Sequence, residues 1–308
     1  MSFPIPLWIG FFIFIACALV ADLGFFNKRD KDLGFKAALN MTMIWVLLAS
    51  IFCSLIYFYS DKQKALEFIT GYIVELSLSM DNVFVFTLIF SYFKIPREFQ
   101  HRVLFYGIIG AIFMRLFMIS GGILLIDHFE WVFYIFGLIL IYSAFKIAVS
   151  KDNNDSVSNE NVKFIKFIKK FLPVTSELHG HSFTVKKDNK LYYTPLFVVL
   201  LIVEKTDLIF AVDSIPAILA ITQDTFIVFT SNIFAILGLR SLYFLLVNLM
   251  HKFVYLKYGI AVILGFVGLK MLFANEGNAI PVQFSLLFIV SILITSIILS
   301  LIRTKKGA

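Results

Sequence analysis

Nine stretches of this chain are apolar for long enough to cross a membrane, and a soluble fold of 308 residues could not bury them all. They fall at 7–26, 37–58, 66–90, 104–126, 131–149, 195–219, 225–247, 259–273 and 283–302. A hydrocarbon core of roughly 30 Å calls for about 20 residues of helix. Lipid offers the backbone no partner, so each span is expected to be a helix bonded to itself. The charged fraction is 15%, whereas soluble domains run near ~25%. The expected fold class is all-α: a polytopic membrane protein of about nine transmembrane helices forming one membrane domain over 1–308.

The basic residues orient these spans. Twenty Lys and Arg lie in one alternate set of connections, at 27–36, 94–102, 151–190, 252–257 and 303–306, and only Lys62 and Lys64 lie in the opposite set. The positive-inside rule then puts the N-terminus outside and the C-terminus in the cytoplasm. The net charge of +7 thus reads as a topology signal, and nucleic acid is not an expected partner. The opening MSFPIPLW has no basic n-region, so the first run is expected to be a retained span. Cys17 and Cys53, both in apolar runs, read as buried thiols and not as a disulfide.

The longest inner connection, 150–194, contains NVKFIKFIKKFLPV. On a helical wheel Lys163, Lys166, Lys169 and Lys170 share one sector, opposite Phe164, Phe167, Ile168 and Phe171. Residues 163–172 are therefore expected to lie on anionic lipids of the inner leaflet. His179 and His181 farther along read as a solvated loop.

Against this apolar background the charged residues inside the spans stand out. A charged side chain at the centre of a bilayer helix costs roughly 2.5 to 3.5 kcal/mol on insertion scales. ELSLSMDNV at 75–83 carries Glu75 and Asp81; DLIFAVDSI at 207–215 carries Asp207 and Asp213 at the same spacing. Glu75 aligns with Asp207, Asp81 with Asp213, and Asn82 with Ser214. AIFMRLF around Arg115 resembles ILGLRSL around Arg240, and Lys146 and Lys270 follow these arginines at similar distances. Spans three to five (66–149) therefore read as one unit and spans six to eight (195–273) as its repeat. Spans one and two, 7–58, are peripheral, and 283–302 is a closing span. Three spans is an odd number, so the units face opposite ways, as in the inverted repeats of many secondary transporters.

Six residues turn an ideal helix by about 240° and raise it about 9 Å. Glu75 and Asp81 cannot both grip one small ion from one regular helix. Either the helix breaks, which Pro216 allows in span six, or each acid meets a partner elsewhere. Glu204 and Asp207, three apart, share a face. Carboxylates with Asn82 and Ser214 oxygens, and no His or Cys, form a hard-oxygen donor set suited to Mn²⁺, Mg²⁺ or Ca²⁺. The competing role for these acids is pairing with Arg115, Arg240, Lys146 and Lys270, and the arginines are expected mainly as such structural partners.

VELSLSMDNVFVF, VEKTDLIFAVDSIPAI and FAILGLRSLYFLL together resemble the TerC/Alx family of integral membrane proteins, its Alx branch in particular. The resemblance covers about residues 5 to 302. It implies a place among LysE-type transporters, a link by name to tellurium resistance, and a role in manganese export and metal homeostasis. It implies Glu75, Asp81, Asp207 and Asp213 as metal residues, with Asn82, Glu204 and Ser214 next. Lys205 stands where the resemblance leads one to expect an uncharged residue. The expected function is export of a divalent cation, manganese first, by exchange with protons across the inner membrane. No permanently bound cofactor is expected. The alternative is a membrane partner that supplies metal to exported enzymes or modulates redox and tellurite resistance. An intramembrane aspartyl protease built on Asp81 and Asp213 is remote, since no GxGD motif is present; the expectation is that the chain is not an enzyme.

Overall fold

The computed structural model describes residues 4–26, 34–129, 131–149, 168, 170–175, 177–187, 190–247, 253, 255–273 and 280–306. Among these residues, nine helices carry almost all of the regular structure: α1 (Ile5–Phe26), α2 (Phe35–Tyr59), α3 (Lys62–Tyr92), α4 (Arg97–His128), α5 (Trp131–Val149), α6 (Pro195–Leu219), α7 (Thr225–Leu246), α8 (Leu256–Leu272) and α9 (Val282–Lys306). Six of them, α2, α3, α4, α5, α7 and α9, are long and apolar enough to cross a bilayer. The other three fall short for visible reasons. The described apolar stretch of α1 is Ile5–Ala21, α8 has 17 residues, and α6 carries Glu204, Lys205, Asp207 and Asp213.

Local chemistry fixes the helix starts. The Asp61 carboxylate accepts from the Lys64 amide at 2.7 Å and caps α3. Asp224 Oδ1 caps α7 by accepting from the amides of Phe226 and Ile227 at 3.1 and 3.3 Å. Proline opens α6 at its first turn, where no amide is needed. Polar side chains inside the spans are largely satisfied by their own helix. Thr70, Ser77 and Thr206 each donate to the carbonyl four residues earlier. Both acid-bearing helices run unbroken: α3 passes through Glu75 and Asp81, and α6 continues past Pro216 to Leu219. Pro216 lies in the last turn, where the lost amide removes only one internal bond.

The centre of the bundle is α7, with nearly every side chain from Phe226 to Leu246 buried. It packs against α2, α3 and α4. At its N-terminal end, Trp8 and Phe11 of α1 and Phe52 of α2 meet Phe226, Phe229 and Phe234 ring to ring. The outer helices α2, α5 and α9 bury few of their residues and present long apolar faces, including Phe58, Phe145 and Phe284. Such faces are stable only against lipid. Cys17 points outward from α1, which departs from the buried thiol expected, and Cys53 is half-buried.

Helices α3 to α8 have a regular contact pattern. The α3 helix packs on α7, α4 packs on α6, and α5 packs on α8. Exchanging α3 with α6, α4 with α7 and α5 with α8 leaves that set of pairs unchanged. The α5–α8 pair is the closest. A Cβ on Gly268 would stand 2.8 Å from the Gly137 carbonyl oxygen, and one on Gly137 would stand 3.1 Å from the Gly268 oxygen. Only bare Cα atoms let these backbones touch.

Within the long connection, strands β1 (Thr184–Lys187) and β2 (Lys190–Tyr193) pair antiparallel. This short hairpin was not anticipated from sequence. The segment before it packs on the start of α4: the Arg102 guanidinium covers the Phe183 ring at 5.2 Å, and His181 meets Phe99 edge-on at 4.8 Å. Most of the lysine face at 163–172 lies outside the described residues, although Ile168 is buried and Phe171 exposed.

Two outcomes follow. Single cysteines at Ser60 and Glu177, in a background lacking Cys17 and Cys53, should react with an impermeant maleimide from opposite sides of the membrane. Gly268→Ala should push α5 from α8 and destabilise the protein by about 1–3 kcal/mol, the usual cost of overpacking. That loss is read as a lower melting temperature in detergent.

Candidate ion-binding site

The acids of α3 and α6 sort into two groups because each helix is regular. On α3, Glu75 points to the interior and is fully buried, whereas Asp81, well round the helix, is half-buried. On α6, Asp207 is buried at 4% exposure and Asp213 is half-buried.

The inner group is organised by Arg115 of α4, itself 1% exposed. Its Nη1 stands 2.5 Å from Glu75 Oε1 and donates to Asn232 Oδ1 at 2.8 Å and Ser214 Oγ at 3.0 Å. Its Nη2 is 3.7 Å from Asp207 Oδ1, an ionic contact too long for a hydrogen bond. Asn232 of α7 closes the ring by donating from Nδ2 to Glu75 Oε2 at 3.1 Å. Glu75 and Asp207, aligned in the sequence repeat, thus share one guanidinium. Two carboxylates and one guanidinium leave the cluster able to take up a proton and become neutral. A cavity of about 10 Å³ lies beside Asp207 and Arg240, close to the lower limit for one water.

The outer group joins Asp81 of α3 to Asp213 of α6. The two carboxylates are within electrostatic reach of one another. Asp213 Oδ1 accepts a 2.6 Å hydrogen bond from Ser143 Oγ of α5. Lysines are also within electrostatic reach, Lys257 of Asp81 and the exposed Lys146 of Asp213. Two hard carboxylates and a hydroxyl, half-open at their edge, offer part of an oxygen shell that water can complete, as Mg²⁺-like ions prefer. Among the described residues no three His, Cys, Asp or Glu side chains converge on one point. The four acids therefore do not form one four-carboxylate cage.

The remaining candidates take other places. Asn82 and Ser214 are buried, and Ser214 belongs to the arginine cluster. The half-buried Glu204 lies within electrostatic reach of Asp207, and its carboxylate rests against the bare Cα of Gly110 on α4, where a Cβ would collide with it. Arg240 is buried at 3% exposure with its guanidinium 5.9 Å from the Phe105 ring centroid. Lys270 Nζ donates to Ser285 Oγ of α9 at 3.1 Å.

Three participants were not singled out from sequence: Asn232, Ser143 and Gly110. Asn232 carried the clearest missed signal, an amide inside the apolar run of 225–247. Ser143 and Gly110 carried almost none, because serine and glycine are tolerated in many spanning helices.

Comparisons with known proteins agree with this architecture. The sequence profile described as "Integral membrane protein TerC family" matches residues 60–308, beginning at the cap of α3. An uncharacterized membrane protein of Rickettsia felis is 44% identical over 296 residues, covering 96% of this chain and 97% of that protein. One from Myxococcus xanthus is 42% identical, covering 98% of this chain and 93% of that protein. A protein of Escherichia coli K12, described as a candidate membrane-bound redox modulator named Alx, is 42% identical, covering 96% of this chain and 94% of that protein. No solved structure matches.

Removing one partner of a buried ion pair strands the other and typically costs about 3 to 5 kcal/mol. Arg115→Gln should therefore sharply lower the yield and melting temperature of the folded protein. Adding Glu75→Gln should recover part of the loss, because it removes the stranded charge. Detergent-phase melting of the single and double variants checks both outcomes.

Proposed function

Because this chain belongs to the TerC family of integral membrane proteins, we propose that it carries a divalent cation, manganese first, across the cell's inner membrane in exchange for protons. The observation that carries the reading is that Asp81 and Asp213, half-buried acids on different helices, lie within electrostatic reach of one another, with the Ser143 hydroxyl donating to Asp213. A static brace has no use for two like charges brought together, whereas a cation bound between them gives each its counter-charge. The donors are hard oxygens and suit Mn²⁺ or Mg²⁺ over softer ions.

In this reading Asp81 and Asp213, with the Ser143 hydroxyl, hold the cargo near the middle of the bundle. Glu75, Asp207 and Arg115 form the proton-exchanging partner. Carboxylates must be deprotonated to bind metal, so cation binding and proton release are linked. The contact pattern of α3–α5 against α6–α8 supports two units of opposite orientation, the arrangement in which one unit can rock against the other around a central site. In this reading the basic 150–194 connection lies in the cytoplasm, on the side that the positive-inside rule assigns it.

A second reading is favoured by the relatives described as candidate redox modulators. There the same acids hand metal to exported enzymes, and an altered redox state follows from metal supply. The two readings separate in purified liposomes, where a transporter needs no client protein.

Asp81→Asn and Asp213→Asn keep size and polarity and remove one charge, so both variants should insert and melt like the parent. Each should abolish Mn²⁺ entry into proteoliposomes, together with the opposite proton movement read by a dye inside the vesicles. An Asp81→Asn protein that moves Mn²⁺ at the parental rate would show that the acid pair is structural.

A further inference from the structure

A second polar feature lies where α3, α5 and α7 begin and α6 ends. A cavity of about 630 Å³ opens there, walled by Trp8, Phe133, the first turns of α3 and the turn at 219–226. Lys64 of α3 is held in its wall between two carboxylates. Its Nζ is 3.0 Å from Asp224 Oδ2 and 3.3 Å from Glu67 Oε2. The Thr222 hydroxyl donates to the same Glu67 oxygen at 2.6 Å. These contacts tie α3 to the α6–α7 turn, segments 155 residues apart at the Thr222–Glu67 bond. Lys270 of α8 lies within electrostatic reach of Glu67, and Gln283 of α9 donates to Gln63 at 3.4 Å.

One turn deeper, the helices close tightly. Ile218 of α6 is fully buried, and Gly71 of α3 sits against it and Ser231 of α7; a Cβ at Gly71 would stand 2.9 Å from Ser231 Oγ. Asp213 lies five residues before Ile218, about 8 Å of helix rise. Helix α6 thus runs from Asp213, through the buried Ile218, to the turn that walls the cavity where Lys64 is held.

The opposite end is closed differently. There Leu196 and Val199 of α6, Phe90 of α3 and Ile95 of the α3–α4 turn belong to one buried apolar cluster, and Gln100 accepts from the Tyr243 hydroxyl at 2.8 Å and donates to the Ile95 carbonyl at 2.9 Å. Under the helix exchange described above, these are the counterparts of the start of α3 and the α6–α7 turn. A partly exposed ion pair is weak and salt-screened, so it makes and breaks easily. A buried apolar seal does not.

We propose that the Lys64–Asp224 and Lys64–Glu67 ion pairs, with the Thr222–Glu67 hydrogen bond, form a gate that shuts the path from Asp213 to this cavity. The proposal rests on the transport reading. Asp224 suits the role because its oxygens have separate tasks: Oδ1 caps α7 and Oδ2 holds Lys64. Opening the gate therefore leaves the helix cap in place.

The test reads access directly. Full-length protein lacking Cys17 and Cys53 and carrying Ile218→Cys is reconstituted in liposomes and treated with a charged, impermeant methanethiosulfonate. Labelling should be slow. Lys64→Met should raise the rate at least tenfold, and so should Asp224→Asn, which keeps the cap oxygen and drops the charge. Lys64→Arg should stay near the slow rate. Two folded variants that label as slowly as the parent would overturn the gate, even with Mn²⁺ flux intact. Faster labelling of the variants beside a parent protein that moves no divalent cation would instead overturn the transport reading.

Discussion

Arg115 is the constraint on which the rest of the structure depends. A guanidinium inside hydrocarbon is sustainable only if its donors are taken up and its charge is matched. Here α3 supplies Glu75, α6 supplies Asp207 and Ser214, and α7 supplies Asn232, while Arg115 itself comes from α4. One side chain thus fixes the rotation of four helices about their axes. Apolar packing between lipid-facing helices is forgiving in rotation; a buried charge network is not.

That fixed rotation also divides the acids. With Glu75 turned inward to Arg115, a regular α3 must carry Asp81 to a different side, and the same geometry separates Asp207 from Asp213 on α6. The consequence is a core of two carboxylates around one arginine, beside a second pair of carboxylates without a buried arginine. The first can take up a proton, and in the proposed reading the second takes the divalent cation. The proposed exchange of protons for a divalent cation gives each group a task that its surroundings suit.

The two ends of the bundle differ in the chemistry that closes them. One is closed by buried apolar side chains and neutral hydrogen bonds, the other by a lysine between two carboxylates at a wide cavity. Helices that pack as exchangeable pairs in the middle are thus finished unequally at their mouths. In the proposed transport reading, such inequality lets the two mouths open under different conditions.

Much of this protein is legible in its sequence. Apolar run length announces the all-helical membrane fold, since hydrocarbon leaves the backbone no alternative, and the motifs around Asp81, Asp213 and Arg240 announce the family. Rare charges within the spans mark which side chains matter, because each would be costly without a purpose. The sequence does not say which of them meet. The spacing of Glu75 and Asp81 leaves open a broken helix or separate partners, and only the packed structure, with α3 unbroken, separates them. Nor do Asn232, Ser143 or Gly110 declare themselves, since small and amide side chains are common in membrane helices. Their roles arise from helix rotation and close approach, and those are properties of the assembled bundle: local propensity fixes a helix, but contacts between residues more than a hundred positions apart fix how it is turned.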